Sequence, residues 1–334
     1  MKRRRHFPDK PIAITWGDPA GIGPEVIIKA FATLPAALQK RILVFGDPEH
    51  LARLAEGLGA PIRIIEAEQS SGGGGVLAVR RAAIFTYNPA SMGKVSKNAG
   101  KAAMSAVEMA AHMALDGGVS ALVTAPISKE AANRAGYKIA GHTEFLAHVA
   151  GSIPVAMMLA SKKLKVVVAT THLAIKDVPS ALDSGKLTEL ILLVANSVKQ
   201  YGLASPKIAV SGLNPHASDG GLFGQEEAAI IAPAIRAARH AGVEVSGPYP
   251  ADTMFTPAAR ARYDLAIAMY HDQGLIPVKA LSFGETVNVT LGLPFLRVSV
   301  DHGTAFDIAG KNQANWRPMA YAIRTAARML RGGF

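Results

Sequence analysis

Short apolar, β-branched runs recur along the chain, with amphipathic stretches between them. Residues 12–15, 42–45, 121–124, 166–170, 208–211, 265–270 and 298–300 each read as a buried strand. Between them, residues 99–115, 187–201 and 226–241 repeat their apolar positions at helical spacing. Each of these runs into glycine, at Gly117-Gly118, Gly202 and Gly242, the residue that most readily ends a helix. Strand and helix in alternation predict an α/β fold with a largely parallel core. The stretch QSSGGGG at residues 69–75 predicts a flexible surface loop. No internal repeat is present, and no linker cuts the chain into independent halves.

The stretch ITWGDPAGIGPEV, residues 14–26, has the outline of a nucleotide loop: strand, glycines, helix. The dinucleotide fingerprint G-x-G-x-x-G places Gly21 and Gly23 correctly but meets Val26 at its third glycine. A phosphate loop fails too, because no Lys-Ser or Lys-Thr follows. Pro24 suits the first helical turn and Glu25 its positive end. The local reading is strand, tight turn and helix, without a Rossmann cofactor site.

Composition narrows the classes. The chain has 334 residues, 49% hydrophobic and 18% charged, as expected of a soluble globular protein. It has no apolar run of membrane-spanning length, and the basic start MKRRRH lacks the apolar region of a secretory signal. The absence of cysteine removes disulfides, thiol nucleophiles and cysteine metal sites, and fits a cytoplasmic location. The net charge of +11 is scattered apart from residues 2–5, and aromatics make up only 6%. That pattern predicts a solvated basic surface that helps an anionic ligand rather than a nucleic-acid or membrane partner.

Three histidines recur at one topological position. His172, His216 and His271 each follow a predicted core strand, at the end where open α/β sheets hold their ligands. Three imidazoles with a fourth position open suit a catalytic divalent metal. Loop histidines with ordinary hydrogen-bonding duties fit the spacing equally well. Asp219 and Asp272 stand close by in sequence as partners for the imidazoles or as proton carriers.

Further along, GHTEFLA at 141–147 lets Thr143 cap a helix whose first N–H groups attract phosphate or carboxylate, or serve as a plain cap. Lys279, Asn288 and Arg297 lie in a stretch alternating polar and apolar residues, and offer phosphate donors or surface polarity. VSVDHGTAFDIAGK at 298–311 sets His302, Gly303 and Thr304 in a small-residue turn with Asp307 behind it. Such a turn suits a cofactor ring and ribose, or simply joins a strand to a helix.

Taken in order, GDPAGIGPE, GHTEFLA, ATTHL, LNPHA, PADTMF, YHDQGLIPVK and VNVTLGLPFLRVSVDHGTAFDIAGK resemble the 4-hydroxythreonine-4-phosphate dehydrogenase family of pyridoxal phosphate biosynthesis. The resemblance runs from about residue 12 to residue 312. That family is similar to the isocitrate and isopropylmalate dehydrogenases, which have a comparable G-I-G-P-E loop and bind NAD without a Rossmann fingerprint. The resemblance implies two α/β/α subdomains interleaved within residues 7–330, a basic tail at 1–6, and an active site in the interdomain cleft. It implies a homodimer with shared active sites. His172, His216 and His271 are implied to bind a divalent metal (Zn, Co or Mg), with Mg the poorest match for imidazoles. His142, Thr143, Lys279, Asn288 and Arg297 are implied to hold the phosphorylated substrate. The turn with His302, Gly303, Thr304 and Asp307 resembles the adenosine-side NAD(P) loop. The implied reaction oxidises the 3-hydroxyl of 4-phosphooxy-L-threonine, and the β-keto acid then loses CO₂ to give 3-amino-2-oxopropyl phosphate. Asp252, Asp272, Lys279 and a water held by the metal are the candidates for taking the hydroxyl proton.

The chain departs from the family in two places. Where many members read N-P-H-A-G-E-G-G, this chain has Asn214-Pro215-His216-Ala217-Ser218-Asp219-Gly220-Gly221, and Trp16 is an unusual residue in the first loop. Both are expected near the cleft. They keep open a same-class alternative, a dehydrogenase of a four-carbon sugar-acid phosphate such as threonate or erythronate phosphate. An alternative from another class, a metal phosphohydrolase built on the three histidines, leaves the 303–311 turn without a purpose.

Overall fold

The computed structural model describes residues 10–68, 74–86 and 89–333. The basic run at 1–6 and most of the glycine-rich stretch 69–75 lie outside the described residues. Twelve strands follow one another: β1 (Ile12–Thr15), β2 (Ile42–Gly46), β3 (Arg63–Glu66), β4 (Val76–Arg81), β5 (Ala121–Thr124), β6 (Ala156–Ala160), β7 (Lys165–Val168), β8 (Ile208–Ser211), β9 (Val245–Tyr249), β10 (Leu265–Ala268), β11 (Val287–Leu291) and β12 (Leu296–Val300). Contacts gather the chain into two compact units, one of residues 1–153 and 293–331, the other of residues 154–292 and 332–334.

In the first unit the strand order is β3-β4-β2-β1-β5-β12, parallel throughout. Strands β1, β2, β5 and β12 are buried along their whole length, as a sheet covered on both faces requires. The helix Lys97–Leu115 is started by the Ser96 hydroxyl, which accepts from Ala99 N at 3.1 Å. It packs a mostly alanine face on the sheet. Trp16 belongs to this core and faces no cleft: it is fully buried, its Nε1 donates to Ala102 O at 3.3 Å, and its ring meets His50 and Phe85 edge-on. Gly46 makes room for it, since a Cβ there would lie 2.8 Å from the indole.

In the second unit the order is β11-β6-β7-β10-β8-β9. β6 runs antiparallel to both neighbours, the exception within a core that is otherwise parallel. The rest, β7-β10-β8-β9, is parallel. The helix His271–Ser282 lies against β7 through Gly274, where a Cβ would come 2.9 Å from both Val166 and Val168. Leu275 and Val278 of that helix join Val166, Val168 and Ala268 in the core. The expected helix at 226–241 opens as a π turn, Glu227–Ile231, before the α-helix Ala232–His240. Gly117, Gly202 and Gly242 take positive φ values of 72°, 106° and 84° just past their helices, the backbone state that stops a helix.

Candidate functional site

In the second unit, β7, β10 and β8 are adjacent and parallel, so their C-terminal ends share one edge of the sheet. His172 follows β7, His271 follows β10 and His216 follows β8. Neighbouring strands are about 4.8 Å apart, so the topology delivers the three imidazoles to one place in the order 172, 271, 216. The structure brings two of them together. The rings of His172 and His271 have centroids 5.8 Å apart and line one cavity of about 170 Å³ with Tyr270 and Asp272. His216 instead lies against Phe223, at 6.3 Å. Among the described residues, no group of three or more His, Asp or Glu side chains is assembled as a metal-holding set.

Asp272 takes the role of imidazole partner, its Oδ1 lying 2.7 Å from His271 Nδ1. A carboxylate accepts only, so the proton of this bond sits on Nδ1, and Nε2 is the ring nitrogen that Asp272 does not engage. His216 sits on a loop of unusual backbone. Residues 216–220 all have positive φ, from 46° to 76°, and four of them are not glycine. Left-handed backbone costs a non-glycine residue about 1–2 kcal/mol, and such strain collects at functional sites. The loop is held from within. Buried Glu227 accepts from the backbone N–H groups of Leu213 and Asn214, both at 2.8 Å, and from Asn214 Nδ2 at 2.9 Å. Glu226 also accepts from Asn214 Nδ2, which draws its carboxyl pKa down. Ser218 is buried, and its hydroxyl donates to Gly224 O at 2.7 Å. The departure from the family motif at this position therefore serves the loop's own closure. Asp219 is exposed.

The remaining expected residues of this unit lie on separate elements. Asp252 is exposed on the short helix Ala251–Met254, which packs against the His216 loop. Lys279 is in the last turn of the helix that His271 begins. Asn288 is on β11, paired with Leu159, and its Oδ1 is buried without a hydrogen-bond partner among the described residues.

In the first unit, Arg297 and His142 converge. Arg297 is 3% exposed, and its Nη2 donates to Thr124 Oγ1 at 2.8 Å. Burial draws its pKa from 12.5 down to about 10, while Glu144 works in the opposite direction. His142 is held well below its usual pKa, first by burial and then by the Arg297 charge, so it is neutral. Its Nε2 is buried with no partner among the described residues. His142 opens the helix His142–Val149, whose N-cap is Gly141 with no side-chain cap. Thr143 thus lies inside the first turn and is not the cap. A desolvated guanidinium, a neutral imidazole and uncapped helical N–H groups together suit an anion.

The loop at 302–307 also takes shape here. His302 Nδ1 lies 3.0 Å from Gly303 O, and Ala305 adopts a left-handed φ of 42°. Ile22 N donates to Thr304 O at 3.0 Å, and a Cβ on Gly21 would stand 2.9 Å from that same oxygen. A Cβ on Gly93 would collide with Phe306 O. The glycines of the opening motif thus let two loops pack backbone to backbone. Asp18, in the same motif, is fully buried, and burial raises its carboxyl pKa to about 6 against the opposing bond from Ala20 N. Glu25 accepts from Ala314 N at 2.9 Å and from Lys29 Nζ at 2.6 Å, tying the first helix to the segment that follows the loop. Asp307 is exposed.

Known proteins resemble this chain over most of its length. The model of the family described as pyridoxal phosphate biosynthetic protein PdxA matches residues 38–326. A 4-hydroxythreonine-4-phosphate dehydrogenase from Geobacter metallireducens is 45% identical over 325 residues, 96% of this chain and 95% of that protein. A D-threonate 4-phosphate dehydrogenase from Salmonella typhimurium is 42% identical, over 96% of this chain and 99% of that protein. The crystal structure of 4-hydroxythreonine-4-phosphate dehydrogenase from Klebsiella pneumoniae superimposes with a TM-score of 0.87 at 41% identity, covering 96% and 98% of the two chains.

Proposed function

The chain belongs to the family of the pyridoxal phosphate biosynthetic protein PdxA, and on that premise we propose that it is a metal-dependent, NAD(P)-linked dehydrogenase of 4-phosphooxy-L-threonine. The observation that carries the reading is the buried Arg297 beside neutral His142 at an uncapped helix start. A phosphate dianion gains charge-assisted hydrogen bonds there, and the protein keeps a cation out of water in advance to receive it. Thr143, Lys279 and Asn288 complete the substrate set. Fixing the phosphate fixes the position of C3, the carbon to be oxidised.

The donor chemistry at the strand ends fits a divalent ion. His172 and His271 share a cavity, and Asp272 leaves His271 Nε2 as a ligand. His216, on the next strand's loop, is the third ligand in this reading, and imidazoles favour zinc or cobalt over magnesium. When bound, the ion would supply a Lewis acid for the substrate hydroxyl, and NAD(P)⁺ would supply the hydride acceptor for C3. The chain's own share is to position and to move a proton. Asp252 and Lys279 are the groups for the hydroxyl proton, with Asp272 engaged in orienting His271. His302, Gly303, Thr304 and Asp307 hold the cofactor on the loop packed against Gly21 and Ile22. The β-keto acid product then loses CO₂ to give 3-amino-2-oxopropyl phosphate. The architecture in this reading is that of the isocitrate and isopropylmalate dehydrogenases, and the enzyme acts in the cytoplasm as a homodimer with shared sites.

A second reading, D-threonate 4-phosphate as substrate, is favoured by the comparable similarity to the Salmonella typhimurium enzyme. The two substrates share the phosphate and differ at C2, amino against hydroxyl. Measured kcat/KM for both on one preparation separates the readings. A ratio of ten or more for the amino acid supports the first, and the inverse ratio replaces it with the second.

A further inference from the structure

Between β10 and β8 the backbone ladder ends at the pair Ile267–Val210. Beyond it, the strand ends that lead to His271 and His216 are joined by one side chain. Gln273 Oε1 accepts from Met269 N at 2.6 Å and from Ser211 Oγ at 2.8 Å, and its Nε2 donates to Gly212 O at 2.8 Å. The carboxamide thus stands in for a peptide group, accepting from one strand end and donating to the other. On the opposite side of β10 no such device is needed. Ala169 N and Thr170 N continue the ladder to Ala268 O and Met269 O, at 2.8 and 3.1 Å, and Thr170 Oγ1 adds a bond to Met269 O at 2.8 Å.

We infer that Gln273 is a positioning residue that sets the spacing between the His271 and His216 strand ends, and so tunes the metal site without touching the metal. The inference rests on the metal reading above. Two residues from His271, with its side chain pinned by hydrogen bonds on both polar atoms, Gln273 leaves β10 and β8 little freedom to part. Its chemistry demands an amide. A carboxylate at the same place keeps the acceptor for Met269 N and Ser211 but sets an oxygen against Gly212 O. A thioether keeps the volume and loses every bond. Serine at 211, fully buried, supplies one bond of the clamp and offers a milder cut. Groups that hold metal ligands in place typically change metal affinity about 10- to 100-fold when replaced.

The test titrates Co²⁺ into chelator-stripped wild-type protein and into Gln273→Glu, Gln273→Met, Ser211→Ala and His172→Ala. The readouts are the dissociation constant, the visible absorption of bound Co²⁺, and the urea midpoint of each metal-free protein. The expected result is about 10- to 100-fold weaker Co²⁺ binding and an altered visible band in both Gln273 variants. Ser211→Ala shifts less in the same direction, and inorganic phosphate still stabilises all of them. Should the Gln273 variants fail to fold, Ser211→Ala decides: weaker binding with an altered band supports the inference, unchanged binding overturns it. Wild-type affinity and spectrum in folded Gln273 variants overturn the inference while His172→Ala, losing Co²⁺, upholds the metal reading. Absence of Co²⁺ binding by the wild type overturns both.

Discussion

Replacing Arg297 by Met separates what the phosphate site costs from what it does. The guanidinium is 3% exposed and its pKa is drawn from 12.5 to about 10 by burial. At 1.36 kcal/mol per pKa unit, keeping it charged in the folded state costs about 3 kcal/mol. The penalty is present in full at neutral pH, where the group is charged in both states, and fades only as pH rises through about 10. Methionine removes that penalty and forfeits the bond to Thr124 Oγ1, which as a bond to a charged group is worth about 1.5–3 kcal/mol. The unliganded variant should therefore unfold within about 2 kcal/mol of wild type, on the stable side. Inorganic phosphate should behave oppositely. A ligand at 100 times its Kd stabilises the protein by about 2.7 kcal/mol, and the variant should lose nearly all of this. The assay is urea unfolding of both proteins across a phosphate series at constant ionic strength. A variant several kcal/mol less stable that still gains from phosphate would refute the argument, because Arg297 would then be a structural residue.

Two further outcomes follow from the first unit. Asp18 has its carboxyl pKa raised from 3.8 to about 6 by burial, so its contribution is intact below about pH 4 and is lost as pH rises through 6, to about 3 kcal/mol of destabilisation. Asp18→Asn, which keeps an acceptor for Ala20 N, should match wild type near pH 4 and exceed it by up to about 3 kcal/mol at pH 8; parallel stability curves over that range would sink the assignment. Gly21→Val places side-chain atoms where even a Cβ lies 2.9 Å from Thr304 O. It should raise the KM for NAD(P)⁺ at least several-fold while leaving phosphate stabilisation unchanged, and an unchanged cofactor KM would detach the 302–307 loop from cofactor binding.

The buried strands were legible because their chemistry is one-sided. Residues 12–15, 42–45, 121–124 and 208–211 are uninterrupted apolar or small runs, and all are covered on both faces. The strands without such a signal escaped it. β3 carries Arg63 and Glu66 at its ends and is only half-buried, β9 contains Gly247-Pro248, and β6 is alanine and methionine rather than β-branched. The shared position of His172, His216 and His271 at strand ends was readable, because a strand followed by a polar loop marks its own C-terminal end. That their strands are neighbours was not, since β7, β10 and β8 are far apart in sequence. Trp16 misled because an aromatic residue beside a glycine loop carries no local sign of which way it faces. Thr143 misled for a similar reason: cap geometry depends on the backbone of Gly141, which extends at φ 176°. Gln273 was invisible, since its partners Ser211 and Gly212 lie about sixty positions upstream.

Oxidation of a phosphorylated hydroxy acid by NAD(P)⁺ with a divalent metal is the reaction proposed for this chain. Its most direct test follows NADH or NADPH formation at 340 nm with 4-phosphooxy-L-threonine, using enzyme stripped by chelator and then given Zn²⁺, Co²⁺ or Mg²⁺. The expected result is no turnover in the stripped enzyme, recovery with Zn²⁺ or Co²⁺ above that with Mg²⁺, and no recovery in His172→Ala or His271→Ala. Full turnover by the metal-free enzyme, or by those variants, would contradict it.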